Sequence, residues 1–198
     1  MFYLFTWILI AIQPLVVTKA NAQATVPFSE QESLSALHET MKSEIDNANL
    51  AMSLSQNQAL RSFAQGIIND YSSADRQSPY WQIKTQLPDQ QRNAVQSLAA
   101  AGYEQGLRLS KLQGPDFDRA YFQNELEHHI LMTGMLEVSM MPNMKSQDVK
   151  SFSQNCLLLF KQSLEIIRAS VADSQGARIA PMYSSPNKMY VAPPRSND

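Results

Sequence analysis

Glu125-Leu126-Glu127-His128 sets a carboxylate and an imidazole three residues apart. On a helix that spacing brings one oxygen and one nitrogen within reach of a single metal ion. His129 follows directly, and at about 100° per residue the two imidazoles point in different directions, so they cannot both face one point in a core. Glu125, one turn before His129, is placed to orient that ring. The third histidine, His38, is distant in sequence, and with 3 His in the chain an all-imidazole zinc site would need every one of them.

The metals these residue types would serve are iron or zinc, and the pattern is incomplete for a paired-iron centre. Ferritin-like di-iron bundles use a second Glu-x-x-His and two further glutamates from the other helices. The corresponding places here hold Glu44-x-x-Asn47, Asp70-x-x-Ser73 and Glu165-x-x-Arg168. The candidate ligands are therefore Glu44, Glu125, His128 and His129, a degenerate set. Cys156 lies in the run Cys156-Leu157-Leu158-Leu159-Phe160, surroundings that bury a thiol and make it inert. Ser163 has no Gly-rich elbow, which argues against a hydrolase. Met132, Met135, Met140, Met141 and Met144 read as adaptable core filling. No catalytic set and no organic cofactor site is expected.

Helices must position these groups. Ser29 with Glu32 forms a capping box before apolar residues at Leu34, Leu37, Met41, Ile45, Ala48 and Met52, which predicts a helix to about Leu54. After a break at Ser55-Gln56-Asn57, with Ser55 or Asn57 as cap, a second helix carries Leu60, Phe63, Ala64, Ile67, Tyr71 and Ala74 on one face and ends at Ser78-Pro79. Tyr80 to Leu87 crosses over as a loop. Pro88 opens a third helix with Val95, Leu98, Gly102, Leu107 and Leu112. Its glycines, Gly102 and Gly106, predict a shorter, bent or peripheral element, or else a close approach by another helix.

Gly114-Pro115-Asp116 marks the start of a fourth helix, with acids in the first turn where the helix dipole favours them. One of its faces holds Phe117, Tyr121, Asn124, His128, Leu131 and Met135; the neighbouring face holds Asp118, Phe122, Glu125, His129, Thr133, Leu136 and Met140. Ser146 caps a fifth helix with the stripe Val149, Phe152, Cys156, Phe160, Ser163, Leu164 and Ile167. Nothing alternates as a strand would. The expected fold is all-α, an antiparallel bundle of four long helices with an additional short one, spanning residues 29–172.

A chain of 198 residues with net charge -2 and 17% charged residues is one domain with no basic footprint for nucleic acid. Met1 to Val17 is apolar, and Ala20-Asn21-Ala22 is the small-x-small pattern of a signal peptidase site. Residues 1–22 therefore read as a cleaved signal peptide, although the stretch before the apolar run has no Lys or Arg. The single Cys156 excludes an intramolecular disulfide. Residues 173–198, rich in Ser, Pro and Asn, read as a disordered tail.

Glu44-Ile45 to Ala51, Phe63-Ala64 followed by Asp70, Phe117-Asp118-Arg119-Ala120-Tyr121, His129 and Leu136-Glu137 together resemble a bacterial family of unknown function (domain of unknown function 4142), whose members are often labelled outer-membrane proteins. The resemblance covers about Ser29 to Ala172 and implies a signal peptide followed by a ferritin-like bundle. In that family the position after the aspartate is typically His, and the last helix usually carries a Pro and then a His. Here those places hold Tyr71, Leu158 and Ser163. The resemblance thus implies an interhelical polar centre of Tyr71, His129 and Ser163 that keeps one imidazole of three.

Together these readings describe a non-catalytic protein of the periplasm or outer-membrane surface, with an unidentified protein or small-molecule partner and a stress-related role as the expectation. The alternative is a metal-binding or oxidase bundle with a degenerate site for iron or zinc. Homodimerisation through the glycine-containing third helix is compatible with either.

Overall fold

The computed structural model describes residues 28–80 and 89–174. The signal segment 1–22, residues 81–87 of the crossover with Pro88, and residues 175–198 of the tail lie outside them; Asp173 and Ser174, read above as the start of the tail, instead end the last helix. Helix α1 runs Glu30–Leu54 and begins as its sequence dictates: Ser29 Oγ accepts from the Glu32 N–H at 3.2 Å, and Glu32 Oε2 accepts from the Ser29 N–H at 2.7 Å. It stops where Ser55 turns extended. Asn57 then caps α2 (Gln58–Arg76) by accepting from the Ala59 and Leu60 N–H groups at 3.0 and 3.3 Å. Ser55, the other candidate cap, instead donates its hydroxyl to Asp118 Oδ1 at 2.6 Å and pins the α1–α2 corner to a later helix.

Helix α3 (Asp89–Leu109) lies against α1 on the outside of the bundle. It is peripheral, as its glycines suggest, but at 21 residues it is no shorter than α2 at 19. The glycines serve contact and do not break the helix. A Cβ on Gly102 would collide with Ser43 Oγ and stand 2.8 Å from Ser43 Cβ, and one on Gly106 would stand 2.9 Å from Asn47 Oδ1. The close approach to α1 offsets the poor helix propensity. It also occupies, within the chain, the glycine face considered above for a dimer.

Helix α4 (Gly114–Met135) opens on a left-handed Gly114 at φ 54 and carries Pro115 in its first turn. It passes into a π turn at Leu136–Met140 and a 3₁₀ turn at Met141–Asn143 before α5 (Gln147–Ser174). Glu30, at the start of α1, accepts from the Lys145 and Ser146 N–H groups at 2.6 and 2.8 Å. The first residue of the bundle thus caps its last helix.

The result is an all-α bundle of two antiparallel hairpins, α1–α2 and α4–α5, joined through α3, with no strand among the described residues. The core stripes of α2 and α5 are those read from periodicity, Ile67, Tyr71, Phe160 and Ile167 among them. The stripe of α4 differs. Leu131, placed inward by the 100° step, is 51% exposed, while Met132 is buried. The face that turns in runs Phe117, Tyr121, Phe122, Glu125, His129, Met132 and Leu136, so two polar groups enter the core because they meet partners there.

Candidate metal centre

Glu44 lies on the core face of α1, between Met41 and Ala48 at helical spacing, and is buried with them. A carboxylate on an apolar stripe is expensive to bury without a partner. Its counterparts come from α4. Glu44, Glu125 and His129 are all buried, and each offers a ligand atom within 4.8 Å of the other two. His129 Nδ1 stands 3.6 Å from Glu125 Oε2, and His128 Nε2 stands 3.3 Å from Glu44 Oε1. His128 is the least buried of this group, its side chain 16% exposed, but its Nε2 is itself buried and turned to Glu44.

The hydrogen bonds of His129 assign its tautomer. Nδ1 donates to the backbone carbonyl oxygen of Glu125 at 2.8 Å, and a carbonyl can only accept. In the neutral ring Nε2 is then an acceptor, and Tyr71 OH donates to it at 2.8 Å. Burial pushes the His129 imidazole down to about 4, against the pull of Glu44, so the ring is neutral at pH 7. Phe160 packs its ring against both Tyr71 and His129, with centroids 5.4 Å away in each case. The two polar rings are held by one phenyl from α5.

The carboxylates divide their roles. Burial, and then the neighbouring Glu44 charge, raise Glu125 well above the usual carboxylate range. For Glu44 burial also acts upward, but His128, then His129 when its ring takes up a proton, and a hydrogen bond with Glu125 when that carboxyl carries the proton act the other way, and the net direction is down. The two shifts run in opposite directions, so of the pair Glu44 ionises first and Glu125 keeps its proton longer. Tyr121, also fully buried, is raised well above its ordinary value, first by burial and then by the charges of Glu125 and Glu44. Glu44 Oε2, both carboxyl oxygens of Glu125 and Tyr121 OH have no hydrogen-bond partner.

The structure thus brings Glu44, Glu125, His128, His129 and Tyr71 to one place. Ser163 is buried on α5, but its hydroxyl has no hydrogen-bond partner and is not bonded to the Tyr71–His129 pair. Tyr121, read from sequence only as a packing residue, is a neighbour of the carboxylates. The signal for it was faint, since an aromatic one turn before Glu125 fits a core stripe equally well. His38 lies elsewhere, stacked on Tyr80 at 4.4 Å and bound to Asp75 through Nδ1 at 2.7 Å. Cys156 is buried, and burial raises its thiol, in keeping with an inert residue.

Chemically, two carboxylates with unpartnered oxygens, beside an imidazole whose one lone pair is held by the Tyr71 hydroxyl, are a donor set for a divalent or trivalent transition-metal ion. No helix among the described residues is long and apolar enough to cross a membrane. A family model described as "Domain of unknown function (DUF4142)" matches residues 15–169. No curated protein and no solved structure matches the chain.

Proposed function

The chain belongs to the DUF4142 family, and on that footing we propose that it is an exported helical-bundle protein of the cell envelope that holds one transition-metal ion, iron or zinc, between α1 and α4. The observation that carries the proposal is the set of three buried ligand-type groups within 4.8 Å of one another, with three of the four carboxylate oxygens lacking any hydrogen-bond partner. Buried carboxylates without partners cost several kcal/mol, and a cation is the most direct compensation. Glu44 and Glu125 would supply oxygen donors and His129 a nitrogen, with His128 beside Glu44 at the least buried side. When bound, such an ion supplies Lewis acidity or one-electron chemistry. Export is supported by apolar Met1–Val17 and by Ala20-Asn21-Ala22.

The full chain, expressed and purified from the envelope fraction, is expected to carry about one iron or zinc per molecule by elemental analysis. Glu44→Gln and Glu125→Gln should each empty the site. A wild-type protein that takes up neither metal on reconstitution sinks the proposal.

A second reading, binding of a small molecule or partner without metal, is favoured by a groove of about 420 Å³ between α1 and α3. It is lined by Ser43, Asn47, Leu50, Tyr103 and Leu107, and Tyr103 is 69% exposed. Ligand-induced thermal shifts that vanish in Tyr103→Ser but persist in Glu125→Gln would select this reading.

A further inference from the structure

We propose that Tyr71 is itself a ligand, binding through its phenolate oxygen, and that the ion this centre takes is ferric iron; the inference rests on the metal-site reading above. Because Nδ1 of His129 is committed to the Glu125 carbonyl, the only lone pair that ring can give a metal is on Nε2, where Tyr71 OH sits at 2.8 Å. Two donors bonded to one ion at about 2.0–2.2 Å and at right angles are about 2.9 Å apart. The phenol oxygen and Nε2 already have the separation of adjacent ligands. Both rings are held in place by Phe160 at 5.4 Å, so the pair is fixed before any ion arrives.

The partnerless atoms point the same way. Glu44 Oε2, both Glu125 oxygens and Tyr121 OH are buried with no hydrogen-bond partner. The set is richer in oxygen than in nitrogen, with His129 Nε2 and the His128 Nε2, which has no hydrogen-bond partner, as its imidazole donors, and the oxygen majority favours a hard ion. Charge balance links the oxidation state to the state of Tyr71. With Tyr71 bound as phenolate, Glu44, Glu125 and Tyr71 carry three negative charges, which a trivalent ion neutralises, whereas with Tyr71 left as a phenol the two carboxylates match a divalent ion. Iron enters as Fe(III), so no electron is transferred. The Tyr71 O–H bond breaks, an Fe–O bond forms with the electron pair left on oxygen, and the proton passes to water, as does any proton that Glu125 holds. Nε2 of His129, released from the phenol proton, becomes a nitrogen donor.

The test is titration of the purified wild-type protein with Fe(III) supplied as ferric citrate, followed by visible absorption and resonance Raman. A phenolate-to-iron charge-transfer band saturating at one equivalent, with enhanced tyrosinate ring modes, is expected. Tyr71→Phe should lose the band, and Tyr121→Phe should keep it. The Raman spectrum of the wild type decides the point even if Tyr71→Phe folds poorly, which far-UV circular dichroism reads. Iron bound without the band, or a band that survives in well-folded Tyr71→Phe, overturns the assignment of Tyr71. A protein that binds zinc and refuses Fe(III) overturns this inference and leaves the metal site standing, whereas one that binds neither removes both.

Discussion

Replacing His129 by Gln should flatten the acid sensitivity of the metal-free protein. An ordinary histidine titrates near 6.5, and burial holds this one at about 4 in the folded state. Between those values the unfolded chain binds more protons than the folded one, so stability falls as pH drops through 6.5 toward 4. The linkage amounts to about 1.4 kcal/mol lost by pH 5.5 and about 3 kcal/mol at its limit. Glu125 works in the opposite sense: its raised pKa means the folded state keeps a proton that the unfolded state releases, so acidification favours folding through that group. The wild-type profile alone mixes the two, and the difference between wild type and His129→Gln removes the shared Glu125 contribution. Gln keeps an amide that can serve Tyr71 OH while carrying no charge at any pH. Urea unfolding at pH 7.5, 6.5 and 5.5 with a chelator present, followed by circular dichroism, measures it. The wild type should lose about 1.4 kcal/mol more than the variant between pH 7.5 and 5.5. Parallel profiles would refute the claim that His129 is buried as a neutral ring.

Three further outcomes are expected. Glu125→Gln should raise the stability of the metal-free protein by about 1 kcal/mol or more, because it removes a partnerless buried acid, while abolishing metal uptake; denaturant midpoints and elemental analysis read the two effects. Gly102→Ala should cost about 1–3 kcal/mol, since the new Cβ meets Ser43, whereas Gly134→Ala, with nothing within 4 Å, should be stabilising by up to about 1 kcal/mol; a reversed order in thermal unfolding would contradict the packing of α3 on α1. Glu30→Ala should cost about 1–2 kcal/mol by removing the acceptor of the Lys145 and Ser146 N–H groups, and should increase hydrogen exchange at the start of α5 selectively.

What sequence could supply was local. The Ser29–Glu32 box, the Asn57 cap and the stripes of α2 and α5 depend on residues three or four apart, and each reading holds in the structure. The face of α4 was harder because this helix is contacted on two sides, so a fixed 100° wheel sent Leu131 inward and gave no reason to prefer Met132. The centre itself depends on α1 and α4 crossing at one level. Glu44, Glu125 and His129 could be nominated by type, but their approach to within 4.8 Å is a property of the packing. So is the tautomer of His129, fixed jointly by its own helix and by Tyr71. Ser163 shows the converse: periodicity placed it inside correctly, and no neighbour was there to meet its hydroxyl.

Within each hairpin the helices run closer together than the hairpins do to each other. The seam between the halves is bridged at its middle by groups from all four helices: Glu44 from α1, Tyr71 from α2, Glu125 and His129 from α4, and Phe160 from α5. Apolar contact is indifferent to sliding, and a shift of one hairpin by a single turn, about 5.4 Å, would still leave oily surface against oily surface. The same shift would break the Tyr71–His129 bond and set the two acids against methionine and leucine. The polar middle therefore acts as a key between two ribbed surfaces. It contributes little to how strongly the halves adhere and determines the one alignment in which they lock.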